Sequence, residues 1–174
     1  MHKAVFLDRD GVINHEQSYI NKIKDFVFID GVFESLSYLK KLNYILIIVT
    51  NQSGIGRGMY TKNDFLILNN WMLSKFLDKD IIIDDVFYCP HAPEANCNCR
   101  KPKPGMFEQC FKKFVISKKD SWMIGDSERD IEAAIMAGIT NNILVRSGHP
   151  ISETTTKAST VIDSIKDITN IIKS

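Results

Sequence analysis

Five short apolar runs, separated by stretches of helical period, constrain this chain more than any other feature. Residues 4–7, 44–49, 85–89, 121–124 and 142–145 have the length and character of strands buried on both faces. Between them the period changes to that of a helix. Val32, Leu36 and Leu39 share one helical face, and Phe65, Leu68, Met72 and Phe76 form a stripe behind a Thr61/Asp64 capping box. Met106, Phe107, Cys110, Phe111 and Phe114 make a third face; Ser127 with Asp130 caps a fourth helix that Gly138 stops. Such stripes are what burial requires, so they are read as core. The alternation predicts an α/β fold, a parallel sheet flanked by helices. At 174 residues, with no repeat or low-complexity linker, residues 1–174 are expected to form a single domain.

The formal net charge is +1. No global field therefore points to nucleic acid or an anionic membrane, and any anionic ligand must be recognised by a local cluster. The first apolar run is four residues long, too short for a secretory signal, and nothing later approaches a membrane span. A cytoplasmic protein is expected, with no nucleic-acid or membrane partner, acting as a monomer.

Three of the predicted strands deliver polar groups just past their carboxyl ends, where open α/β sheets bind ligands. Asp8 and Asp10 follow the first, Thr50-Asn51-Gln52-Ser53-Gly54 the second, and Asp126 the fourth. A carboxylate pair two residues apart can divide labour, one attacking and the other moving protons. An acidic turn explains the same pair, since Asp and Gly are common turn residues. A hydroxyl with successive N–H groups at Thr50 and beyond suits phosphoryl oxygens, although an isolated Thr-Asn is more often a cap or turn. The run Arg100-Lys101-Pro102-Lys103-Pro104-Gly105 offers a lysine to neutralise a transferring phosphoryl group. Asp126 offers a hard oxygen for magnesium, which takes few protein ligands and keeps waters for substrate.

Cys89, His91, Cys97 and Cys99 are a second constellation. Four ligands spaced C-x-H and C-x-C within eleven positions suit tetrahedral zinc with no open position, hence a structural metal fixing the loop before Arg100 and Lys101. Free thiols or an incidental disulfide are the alternatives. Cys110 is read as core, and His2, His15 and His149 as exposed or loop residues without partners.

Taken in order, Asp8-Arg9-Asp10-Gly11-Val12, Thr50-Asn51, a lysine, and Gly125-Asp126 with Asp130 resemble the four motifs of the haloacid dehalogenase-like (HAD) phosphatases. The resemblance spans the chain. It implies a Rossmann-like fold, Asp8 as nucleophile forming an aspartyl-phosphate, and Asp10 as the acid and base. Thr50 and Lys101 would hold the phosphoryl group, with Lys103 as the rival lysine. Magnesium would be bound by Asp8, Asp126 and the backbone carbonyl of Asp10. Only forty residues separate Asp10 from Thr50, and the later insertion point holds only the cysteine loop, so a capless enzyme is expected.

The cysteine loop with Cys99-Arg100-Lys101-Pro102-Lys103-Pro104-Gly105 resembles the subfamily of heptose bisphosphate and histidinol phosphatases. Residues 28–32 (FIDGV), 50–58 (TNQSGIGRG) and 145–148 (VRSG) favour the heptose branch; the histidinol branch usually carries Asp where Ser53 stands. The resemblance implies a small phosphorylated sugar as substrate, contacted by Glu16, Gln17, Ser18 and Tyr19, by Asn51, Gln52 and Ser53, and by Arg100 at a second phosphate. Heptose enzymes often read DHGY at residues 16–19, so only the acid and the tyrosine are kept. Histidinol phosphatase, DNA 3′-phosphatase and a zinc-stabilised binding module remain as alternatives.

Overall fold

The computed structural model describes residues 1–173. Six parallel strands form one sheet: β1 (Ala4–Leu7), β2 (Ile45–Asn51), β3 (Asp85–Cys89), β4 (Trp122–Gly125), β5 (Asn141–Val145) and β6 (Thr160–Ile162), in the order β3-β2-β1-β4-β5-β6. The order reverses between β1 and β4, which opens a crevice at their carboxyl ends. Five of the strands are those expected. β6 was not foreseen, because three residues on a sheet edge carry too little apolar pattern to stand out.

Side chains on a strand alternate between faces, and both faces here are dry. Val5, Leu7, Leu46 and Ile48 point into one core with Leu36, Leu39, Met72 and Phe76. Ala4, Phe6, Ile47 and Val49 point into the other with Met106, Phe107, Cys110 and Ala134. The first core is covered by α1 (Val32–Lys41) and α3 (Lys62–Leu77), the second by α4 (Gly105–Lys113) and α5 (Glu128–Met136). A one-turn α2 (Ser53–Gly56) follows β2.

Capping decides where these helices begin. Thr61 Oγ1 accepts from the Asp64 N–H while Asp64 accepts from the Thr61 N–H, and Ser127 and Asp130 make the same exchange ahead of α5. Gly138, at φ 89°, ends α5 in the left-handed conformation that a side chain resists. Residues 163–173 fold back onto α1, where the Ser35 hydroxyl donates to the Ile165 carbonyl (2.9 Å) and the Tyr38 hydroxyl to that of Ile172 (2.8 Å).

Between β1 and α1, and between β3 and α4, only loops with single 3-10 turns occur among the described residues. The core is therefore capless, and its crevice opens to solvent. Among the described residues, no helix is long and apolar enough to cross a membrane.

Candidate active site and metal centre

The carboxyl ends of β1, β2 and β4 bring Asp8, Asn51 and Asp126 to one cavity of about 390 Å³. β2 runs two residues further than the sequence suggested, so Thr50 and Asn51 are paired within it. Lys101 enters from the loop after β3 and is 1% exposed. Its ammonium lies 3.0 Å from Asp8 Oδ1 and 2.7 Å from Asp130 Oδ1, and it donates to the Val49 carbonyl at 2.7 Å. Asn51 fixes the lysine backbone from both sides, accepting from the Lys101 N–H (3.1 Å) and donating to its carbonyl (3.2 Å). Lys103 points elsewhere, to Asn96.

Burial pushes the Asp8 carboxyl well above its ordinary range; Lys101 opposes this, while Asp130, Asp126 and Asp10 add to it. For Lys101, burial alone would lower the pKa, yet Asp130 and Asp8 outweigh it and hold the ammonium charged. Asp126 is raised by burial and by Asp130. Its Oδ1 is buried and has no hydrogen-bond partner. Carboxylate oxygens of Asp8, Asp126 and Asp130 lie within 4.8 Å of one another. Such crowding with an unpartnered acceptor fits a hard divalent cation.

Asp10 sits in a different environment. Arg9, nearly inaccessible, reaches both carboxylate oxygens through Nη2 (2.9 and 3.0 Å) and also donates to the Ile20 carbonyl. Asn14 Nδ2 (2.9 Å) and Gln52 Nε2 (3.2 Å) complete the grip. Gln52 also donates to Thr50 Oγ1 and accepts from the Tyr60 hydroxyl (2.7 Å). Burial pushes Tyr60 up to about 12, which keeps it a donor. The amide of Gln52 is thus committed internally even though the residue lines the cavity.

Of the other expected contact residues, Glu16, Ser18, Tyr19, Ser53 and Arg100 line the cavity, whereas Gln17 is exposed and does not. Thr50 is buried just behind Gln52. Arg100 Nη1 is buried without a partner.

Three residues at the site carry no site role in the sequence-based expectations. Arg9 is the middle of the first motif, and Asp130 is expected as a cap and as the last acid of the fourth motif, with no role of its own at the site. His149, expected as a loop residue without partner, instead meets Asp126 Oδ2 with both its N–H (3.0 Å) and its Nδ1 (2.6 Å). The contact arises because residues 146–149 leave β5 at the same carboxyl edge. Gly11 and Gly148 are required here: a Cβ on either would lie 2.2 or 2.0 Å from Asp126 Oδ2.

Beyond Arg100, the four side chains of the cysteine loop expected as ligands converge. Cys89 Sγ is 3.6 Å from His91 Nδ1 and 3.5 Å from Cys97 Sγ; Cys99 Sγ is 3.3 Å from His91 Nδ1 and 3.4 Å from Cys97 Sγ. None is in a disulfide. At Cys97, burial is outweighed by hydrogen bonds from Cys99 and the Arg100 backbone, bringing the thiol down to about 6. A ligand set of this kind can hold a metal.

A HAD-hydrolase-like family model matches residues 98–168. The chain is 44% identical to D-glycero-beta-D-manno-heptose-1,7-bisphosphate 7-phosphatase of Haemophilus influenzae, covering 99% of this chain and 98% of that one. It is 41% identical to the Escherichia coli K12 protein of that name, covering 98% and 93%. The crystal structure of D,D-heptose 1,7-bisphosphate phosphatase from B. bronchiseptica, complexed with magnesium and phosphate, is similar with a TM-score of 0.83 at 28% identity, over 95% of each chain.

Proposed function

The chain belongs to the D-glycero-beta-D-manno-heptose-1,7-bisphosphate 7-phosphatase family, and from that premise we propose that it removes the 7-phosphate of this sugar bisphosphate, in the supply of nucleotide-activated heptose for surface polysaccharide. The observation that carries the reading is the juxtaposition of Asp8, Lys101 and Asp126 with a separately held Asp10. We read residues 1–174 as one such domain.

Asp8 is the nucleophile. One of its oxygens bonds to phosphorus as the ester P–O bond breaks, and Asp10 gives a proton to the departing sugar oxygen. Water then attacks the aspartyl-phosphate; Asp10 takes a proton from it, and phosphate leaves with Asp8 regenerated. Arg9, Asn14 and Gln52 fix the carboxyl group of Asp10 through both transfers. Lys101 and Thr50 hold phosphoryl oxygens, and the lysine, already positioned by Asp8, Asp130 and Val49, needs no reorganisation as charge develops. Magnesium fits Asp8, Asp126 and the backbone carbonyl of Asp10, where it would neutralise phosphoryl charge as a Lewis acid.

Arg100 is assigned to the 1-phosphate, since a guanidinium with a buried, unpartnered nitrogen suits bidentate binding. The cysteine loop that carries it is assigned a structural zinc. Tetrahedral zinc with Zn–S near 2.3 Å and Zn–N near 2.0–2.1 Å separates its ligands by roughly 3.5–3.8 Å; the separations here are 3.3–3.6 Å.

The test is phosphate release from the α and β anomers of heptose 1,7-bisphosphate, histidinol phosphate and simple sugar monophosphates. The expected result is preference for the β anomer. A kcat/KM for histidinol phosphate about tenfold higher, 1.4 kcal/mol in transition-state binding, would overturn the substrate assignment.

A further inference from the structure

We propose that His149 is a positioning residue for Asp126, holding one carboxylate oxygen so that the other is presented to the catalytic divalent cation. This rests on the reading of Asp126 as a magnesium ligand.

The two oxygens of Asp126 are treated unequally. Oδ2 takes the backbone N–H of His149 at 3.0 Å and lies 2.6 Å from its Nδ1. Oδ1 is buried with no partner at all. An ionised carboxylate only accepts, so the hydrogen in the shorter contact belongs to the imidazole. Two donors on one oxygen stop the carboxylate from turning, which leaves Oδ1 as the unpartnered oxygen of a residue that lines the same cavity as Asp8.

The alternative is that His149 is itself a metal ligand, since a ligand atom of Glu16 lies within 4.8 Å of both Asp126 and His149. Distance decides against it. Two ligands on one ion at about 2.0–2.1 Å stand roughly 2.9–3.4 Å apart, whereas 2.6 Å is a charge-assisted hydrogen bond.

The loop that delivers His149 is anchored on both sides. Ser147 Oγ donates to the Gly11 carbonyl at 2.7 Å, tying the loop to the turn after β1. Arg146 pairs with Glu153 (2.6 Å) and Asp163 (2.7 Å), and Glu128 accepts from Thr156 Oγ1 and the Lys157 N–H. The His149 side chain is 45% exposed, so it adds little packing, and the backbone N–H would survive its replacement. What the side chain adds is the second donor.

The test is magnesium calorimetry on the zinc-loaded protein without substrate, together with hydrolysis of p-nitrophenyl phosphate across a magnesium titration. Outer-shell partners of metal ligands are typically worth 10–100-fold in affinity. His149→Ala is expected to weaken magnesium binding by at least about tenfold, with kcat at saturating magnesium and the metal-free Tm close to wild type. His149→Asn, which restores a donor at the δ position, is expected to recover most of the affinity. Unchanged magnesium affinity in His149→Ala, or an Asn variant as weak as Ala, would contradict the proposal. Asp126→Asn separates the two levels. If it loses magnesium binding while His149→Ala keeps it, positioning alone is wrong; if it binds as wild type does, the metal-site reading falls and the proposal with it.

Discussion

Lys101 Nζ and Asp130 Oδ1 are 2.7 Å apart, each at most 2% exposed, and the same Asp130 carboxylate caps α5 through the Ser127 and Asp126 N–H groups. The start of a helix and the cationic centre of the site thus depend on one carboxyl group. Removing one partner of a buried pair strands the other charge, at about 3–5 kcal/mol. Lys101→Met is expected to lose turnover by at least two orders of magnitude and to lower the metal-free Tm. Asp130→Asn, which can still accept at the helix start, should lose less stability while weakening activity. Denaturant unfolding and kcat for both variants check this ordering.

Asp8 supplies a stability prediction with a definite sign. Burial raises its folded-state pKa above the unfolded value, so its contribution is complete below the unfolded pKa and lost as pH rises through the folded one. At neutral pH the Asp8 carboxyl therefore costs stability in the metal-free protein. Asp8→Asn is expected to raise the metal-free Tm at pH 7, and the gain should shrink as pH falls toward the ordinary aspartate range. A variant less stable than wild type at pH 7 would mean that the Lys101 contact outweighs desolvation.

Magnesium should reverse that cost. At a concentration 100 times its Kd, a ligand specific for the folded state adds about 2.7 kcal/mol, or roughly 5–10 °C in Tm for a domain of this size. Thermal scans with and without magnesium are expected to show such a shift in wild type and almost none in Asp126→Asn.

The cysteine loop predicts a separate behaviour. One zinc per chain is expected by elemental mass spectrometry, with less in Cys97→Ser and Cys99→Ser. Removing it should lower Tm and loosen Arg100 and Lys101, so that activity falls as a consequence. Removing magnesium should stop turnover without unfolding the chain. Zinc addition that changes neither metal content nor Tm would contradict the assignment.

Much of this was legible in sequence because it is local. The strands announce themselves through burial on both faces, and the boxes Thr61/Asp64 and Ser127/Asp130 span three residues each. That Asp8 and Asp126 share one cavity, and that Cys89, His91, Cys97 and Cys99 cluster, was legible in motif and spacing. What escaped depends on distant packing: Asp126 with His149 is separated by 23 residues, and Gln52 with Asp10 by 42. Neither pair has a spacing that marks it. Asp130 is legible as a cap and as the last acid of the fourth motif, but its pairing needs Lys101, which only the fold of the loop after β3 brings near. β6 escaped because its strand character comes from the sheet edge of β5 and not from its own three residues.

Asp8 is the residue that carries the phosphoryl group in this mechanism, and rapid acid quench with intact-mass and peptide mapping would trap it there. During turnover of heptose 1,7-bisphosphate, the peptide containing Asp8 is expected to carry one acid-stable, base-labile phosphoryl group, absent in Asp8→Asn, which should also be inactive. Wild-type turnover by Asp8→Asn, or a phosphoryl adduct on another residue, would contradict the account.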